Sequence, residues 1–351
     1  MSNTHHYPIN DAIAKPIWHI TNVSDDDVAR VSSATNLPPL VVRVLCARGM
    51  SDAHQIDRFM RPSSAHLHDP FSMADMDTAA KRIVRALRTR ECILVHGDFD
   101  VDGVCGTALL ATKLSQWGGR VFWFIPDRFV DGYGVSMRAI NAATNVGAKL
   151  ILTVDCGISA MEEIATARKH NMDVIVIDHH EPSSKLPPAH AVLDPKRCDC
   201  GYPFKELSGT GVALKLLCAV ATHGGYDDPL EDPMCLDLTA LATVADVVPL
   251  LDENRVLVKF GLEALSARHR IGVRALTHCA GLRRSDITST HVAFILGPRL
   301  NAAGRLEHAR TALRLLLTQD EMEAMELARH LNTLNRDRQA EEERTFQQAI
   351  E

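Results

Sequence analysis

The sequence has no apolar run of membrane length and no signal-peptide pattern, so a soluble protein of the reducing cytoplasm, with no membrane partner, is expected. Its nine cysteines lack the spacing of a disulfide framework. The pair Cys198-Asp-Cys200 has no second pair nearby, which argues for a plain loop over a zinc site. Positive charge is also short: the formal net charge is −6, which taken globally argues against a nucleic-acid binder. Finally, Leu207-Ser-Gly-Thr-Gly211-Val-Ala-Leu-Lys215 lacks the Gly-Lys-Ser/Thr ending of a phosphate loop. Its glycines are expected to let a helix N-terminus approach a sheet instead.

What is present starts with His96-Gly-Asp98-Phe-Asp100-Val-Asp102-Gly103, set between the apolar run Cys92–Val95 and the helical pattern Thr107–Leu114. One histidine and three carboxylates so close together repel one another when ionised, and a stable fold needs cations among them. Two more apolar runs end similarly. Leu150–Val154 stops at Asp155-Cys-Gly157, and Asp173–Ile177 stops at Asp178-His179-His180. In an open parallel α/β sheet such clusters converge in the crevice beyond the strand ends, although they lie roughly 20 to 60 positions apart. Each cluster alone fits a turn or a helix cap equally well, so convergence is what argues for a metal site.

At 351 residues the chain exceeds one average domain, and two domains or lobes are expected. Met1 to about Pro16 reads as a mobile terminus. Residues 24–60 are helical in pattern, broken at Pro38-Pro39, with Ser51-Asp-Ala-His capping a helix over Ala53–Arg61. An amphipathic helix over Asp77–Arg88 leads into the first strand, so 1–89 is expected to be a helical extension and the α/β core to begin near residue 90.

Strands are expected at Cys92–Val95, Val121–Ile125, Leu150–Val154, Val174–Ile177 and Ala191–Leu193. Helices are expected at Thr107–Gln116, Ser136–Asn145 and Ala160–His170. This alternation predicts an α/β, doubly wound, mostly parallel sheet over 90–250. In the loop Pro126–Gly134, Arg128 and Tyr133 can hold a phosphate or stack on a base, or serve a structural turn. A mostly apolar helix over Cys235–Val248 embeds Asp246, which must be paired, capped or bound to metal; the strand-end clusters favour a metal ligand.

A helical lobe follows over 251–318. Between Arg255 and Arg314 eleven Lys/Arg face three Asp/Glu, a local balance of +8. A basic lobe beside an acidic metal cleft suits a polyanionic backbone, and a solvated helical face is the plainer alternative. The stretch ends in Gly297-Pro-Arg299-Leu-Asn301-Ala-Ala-Gly304-Arg305, a Gly/Pro loop whose two arginines and amide are planar donors for phosphate oxygens. The alternative for these arginines is capping of local carbonyls or pairing with Glu321–Glu326. Residues 319–351 read as the start of a long connecting helix that stops inside its pattern, so a further domain is expected beyond it.

Together, His96–Gly103, Thr153–Gly157, Asp178–His180, Leu241-Ala-Thr-Val-Ala-Asp-Val247 and Gly297–Arg305 resemble the DHH phosphoesterases, over about residues 90 to 310. The last motif resembles the branch of RecJ-type single-stranded-DNA exonucleases rather than the family's pyrophosphatases. The resemblance implies two Mn²⁺ or Mg²⁺ ions, one held by His96, Asp100 and Asp155 and the other by Asp102, Asp155, His179 and Asp246. It places Asp98 close by and His180 on the scissile phosphate or orienting a ligand. It also implies 5′-to-3′ hydrolysis of single-stranded DNA in recombination and repair. A single-strand-binding protein and a helicase are the partners it implies, and DHH-associated and OB domains lie beyond this chain. Two ions about 4 Å apart can bind a phosphodiester and activate water, so no protein nucleophile is needed. A phosphodiesterase for short oligonucleotides or cyclic dinucleotides is the alternative within the class; an inactive replication scaffold is the alternative outside it.

Overall fold

The structure is a computed structural model that describes residues 20–282 and 286–350. The terminus Met1–Pro16, and Arg283 and Arg284 of the basic lobe, lie outside the described residues. Two compact units divide at Arg61 and Pro62. In the first, α1 (Asp25–Thr35), α2 (Pro39–Ala47) and α3 (Ala53–Met60) enclose a small core of Val28, Val31, Val42, Leu45 and Ile56. Pro39 occupies the first turn of α2, where a missing N–H costs nothing, so the proline pair starts a helix as well as ending one. Asp52 rather than Ser51 caps α3, accepting from the amides of His54 and Gln55.

In the second unit α4 (Met76–Arg88) precedes a five-stranded sheet: β1 (Cys92–Gly97), β2 (Arg120–Phe124), β3 (Leu150–Val154), β4 (Asp173–Ile177) and β5 (Ala191–Leu193). All neighbouring pairs are parallel, in the order β2-β1-β3-β4-β5. Burial on both faces explains why β1 and β3 are apolar runs and not alternating patterns. Alternate residues go to opposite sides. Ile93, Val95, Leu152 and Val154 join one core with α4, α5 (Val101–Gln116) and α8 (Gly209–Gly224). Leu94, Ile151, Val174 and Val176 join the other with α6 (Met137–Asn145) and α7 (Met161–Lys169).

Helix α4 therefore belongs to the α/β body, which starts well before residue 90. Eight of its residues are buried, and Arg82 reaches Asp173 at the start of β4 and Glu91 before β1, each at 2.6 Å. After β5 the chain is helical: α8, α9 (Pro233–Ala245), α10 (Asp252–Ala267), α11 (Ile271–Cys279) and the one-turn α12 (Ser289–His291). A π-helical turn (Val292–Leu296), α13 (Gly297–Leu306), α14 (Arg310–Leu317) and the 30-residue α15 (Glu321–Ile350) complete it. Among the described residues no helix is long and apolar enough to cross a membrane.

Candidate metal centre

The strand order switches direction between β1 and β3, so their chains leave on opposite faces and open a crevice at their carboxyl ends. His96 ends β1. Asp98 follows, Asp100 caps α5 by accepting from the Gly103 amide at 3.1 Å, and Asp102 lies in the first turn. Gly103 is required there because a Cβ would collide with the Asp98 backbone.

Asp155 follows β3 in the left-handed region, with φ +61°, an uncommon conformation for a residue with a side chain. Its amide donates to Ile177 O at 2.9 Å, which fixes the turn. After β4, Asp178 acts as an anchor: its carboxylate accepts from the amides of Ile158 and His179 at 2.9 and 2.8 Å and from His180 Nδ1 at 2.7 Å. His180 Nε2 then meets the Tyr133 hydroxyl at 3.0 Å. The expectation for the glycines of 207–211 holds, and their target is specific. The first amides of α8, Gly209 and Thr210, donate to the two oxygens of Asp102 at 2.6 and 2.8 Å. Gly209 is needed for this approach, since its Cβ would lie 2.8 Å from that of Asp155.

These supports bring the side chains together. His179 Nε2 lies 3.0 Å from Asp155, 3.6 Å from Asp246 and 3.7 Å from Asp102. Three groups of potential ligand atoms, each within 4.8 Å of one another, overlap: Asp98, Asp100 and Asp155; Asp155, His179 and His180; Asp102, His179 and Asp246. Asp155 and His179 are each shared by two groups. His96 is in none of the three, where it was expected beside Asp100 and Asp155; Asp98 takes that place. Even so, His96 Nε2 and Asp98 Oδ1 are buried with no hydrogen-bond partner among the described residues. Asp246 is also not embedded in a helix as expected, because α9 stops at Ala245 and leaves it at the C-cap, free to turn inward.

The electrostatics explain what this arrangement requires. Burial, then repulsion by Asp100, pushes Asp98 up to about 7, and burial with Asp102 does the same to Asp246. Burial and neighbouring carboxylates hold Asp102 and Asp155 above the ordinary range as well. His96 is pushed down to about 4 by burial and so stays neutral, with a lone pair available. His180 moves up because Asp178 holds its ring N–H. Asp98, Asp102, Asp155 and Asp246 cannot all ionise here without added positive charge, and an oxygen-rich set with a few imidazoles suits Mn²⁺ or Mg²⁺.

Residues 92–243 match the family described as "DHH family, N-terminal domain". The chain is 40% identical over 338 residues to the single-stranded-DNA-specific exonuclease RecJ of Bacillus subtilis, covering 96% of this chain and 42% of that protein. A crystal structure of exonuclease RecJ bound to manganese superposes with a TM-score of 0.74 at 39% identity, over 82% of this chain and 71% of that one. The chain belongs to the RecJ branch of the DHH family. RecJ from Thermus thermophilus in complex with Mn²⁺ gives a TM-score of 0.78 at 35% identity, over 92% of this chain and 46% of that one. The chain thus spans about half the length or less of the curated RecJ proteins it matches.

The remaining motif of this RecJ-like chain differs from its expected form. Gly297–Arg305 is not a loop but the body of α13. Arg299 takes the capping role, donating to Ile295 O at 2.6 Å and to Asn332 Oδ1 at 3.1 Å. Asn301 accepts from the Val101 amide at 3.0 Å and so holds the start of α5. Arg305 is exposed, and Arg128 is exposed with its guanidinium 5.3 Å from the Phe99 ring centroid.

The sequence reading missed Asp194 and Lys196, which follow β5. Asp194 is fully buried and pushed up to about 7 by that burial, with Oδ2 unpartnered among the described residues. Lys196 pairs with Glu181 at 3.4 Å, and its charge is felt at His179 and Asp246. The rule that found the other clusters, an acid directly after an apolar run, applies to Leu193-Asp194 equally well.

Proposed function

We propose that this chain carries a two-cation phosphodiesterase centre that removes nucleotides from the 5′ end of single-stranded DNA. The observation that carries it is the sharing of Asp155 and His179 among overlapping ligand groups, with buried His96 and Asp98 atoms lacking partners. His96, Asp98, Asp100 and Asp155 would hold one cation, and Asp102, Asp155, His179 and Asp246 the other. When bound, two such cations supply the charge that grips a phosphodiester and bring the acidity of water near neutral pH. The protein's own part is orientation. Asp178 fixes His180 and raises its proton affinity, which supports a role in which its Nε2, shared with the Tyr133 hydroxyl, would meet the scissile phosphate. Single strands reach such an enzyme through a helicase and a single-strand-binding protein, the expected partners, in the cytoplasm.

The test uses a 5′-labelled single strand and a dinucleotide with Mn²⁺. Release of labelled mononucleotide from the strand, lost in Asp155→Asn, is expected. Cleavage of the dinucleotide with the strand left intact would replace the exonuclease by a short-oligonucleotide phosphodiesterase. Absence of Mn²⁺ binding in calorimetry would point to a scaffold.

A further inference from the structure

Beyond Asn335 every described residue of α15 is exposed except Arg338. Its side chain, 18% exposed, turns back onto the body and lines a cavity of about 130 Å³ with Arg305, Asn301, Pro298 and Ala245. A water needs roughly 10–15 Å³ of such space, so this cavity admits several waters or one small anion. The guanidinium is poorly satisfied. Among the described residues Nε is buried without a partner, Nη2 has only Asn335 Oδ1 at 3.4 Å, and Nη1 pairs with the largely exposed Glu342 one turn on. Arg305 lines the same cavity, and Arg336 is close enough to Arg299 to act on its charge. Of the acids nearby, Glu307 is held by His330 at 2.8 Å. The cavity also adjoins the metal centre, because Ala245 precedes Asp246 and Asn301 holds the first amide of α5.

We propose that this cavity is a phosphate subsite for a strand entering the centre, with Arg338 and Arg305 as its donors and Glu342 as an internal competitor. It rests on the single-strand reading above and adds to it a residue from the connecting helix that no motif announced. The two Nη groups, held only by Asn335 at 3.4 Å and by the largely exposed Glu342, suit a phosphate oxygen, since such an i,i+4 pair is weak and readily exchanged. Glu342 then limits affinity in the absence of a strand.

The test measures binding of a single-stranded oligonucleotide to the 351-residue chain in EDTA, where nothing is cleaved, over a salt series. Arg338→Gln is expected to lower the slope of log affinity against log salt by about 0.7, the value of one lost phosphate contact on a single strand. Arg338→Lys should keep most of the slope but lose affinity, and Glu342→Gln should tighten binding several-fold. A thermal melt shows whether each variant is folded; should Arg338→Gln fail, Arg338→Lys and Glu342→Gln still decide. Unchanged slopes with no tightening in Glu342→Gln would overturn the subsite while leaving strand cleavage by the parent chain intact. A parent chain that neither binds nor cleaves the strand would overturn both.

Discussion

Removing divalent cations should make the stability of this protein fall as pH rises through neutrality, and the structure gives the sign and size. Asp98 is 2% exposed, and burial lifts its carboxyl from 3.8 to about 7. A carboxyl with a raised folded-state value favours the fold fully below its unfolded value and loses that contribution as pH climbs through the folded one. A rise of that size corresponds to about 4 kcal/mol, of which about 1 kcal/mol for Asp98 alone falls between pH 6.5 and 8. Asp246, Asp102 and Asp155 add in the same direction. His96 and His179, whose values are lowered, act oppositely but only below about 6.5, while His180, raised by Asp178, loses stability in the same direction as the carboxyls above that pH, so the Asp98→Asn comparison isolates the carboxyl share. The assay is the melting temperature from pH 6.5 to 8, in EDTA and in Mn²⁺. A fall of at least about 2–4 °C is expected in EDTA, a flat profile in Mn²⁺, and a shallower fall in EDTA for Asp98→Asn. Parallel profiles in the two conditions, or an unaltered slope in Asp98→Asn, would refute the account of the centre as a cation-dependent cluster.

Asp155→Ala should abolish turnover and weaken both cations in Mn²⁺ calorimetry, whereas His96→Ala should weaken one; a second site unchanged in Asp155→Ala removes the bridging role. Arg299→Ala should lower the unfolding free energy by about 1–2 kcal/mol through its two lost hydrogen bonds and leave the salt slope of strand binding alone, while Arg305→Ala lowers that slope by about 0.7. Denaturant melts and salt-series binding separate the two, and a reduced slope in Arg299→Ala would return it to the strand. Gly209→Ala should cost about 1–3 kcal/mol and weaken Mn²⁺ binding, because the new methyl would press on Asp155; parent-like calorimetry would show that α8 can retreat without disturbing the ligands.

The sheet was legible because its physics is local: strands buried on both faces must be apolar throughout, and Leu150–Val154 and Ala191–Leu193 begin and end where their apolar runs do. Convergence of Asp155, His179 and the β1 cluster followed from strand ends alone. What local pattern could not give was tertiary override. Gly297-Pro-Arg-Leu-Asn-Ala-Ala-Gly304 reads as a loop by composition, yet Pro298 sits in the first turn, and Gly304 is helical where a Cβ would come 2.6 Å from Phe99 O. Close approach to the metal loop, not backbone freedom, accounts for that glycine. Arg299 likewise looked free only because its acceptors, Ile295 O and Asn332, come from the π-helical turn and from a helix 33 positions on.

The supports divide the carboxylates into two kinds, and the division bears on which of them hold cations. Asp178 has both oxygens taken by amides and by His180, and its value is lowered despite burial because those donors outweigh the loss of water. It is ionised by the protein itself and has no need of a cation. Asp102 also accepts two amides, from the N-terminus of α8, but its value stays raised: burial and Asp100 outweigh them. Each of its oxygens keeps a second lone pair, and Oδ2 lies 3.7 Å from His179 Nε2. The two amides therefore aim Asp102 without neutralising it. Asp98, Asp155 and Asp246 are raised as well. Asp102, Asp155 and Asp246 surround His179 across the crevice with their charge unbalanced, as a cation ligand would be, whereas Asp178 is balanced as an anchor is; sequence alone shows only aspartates.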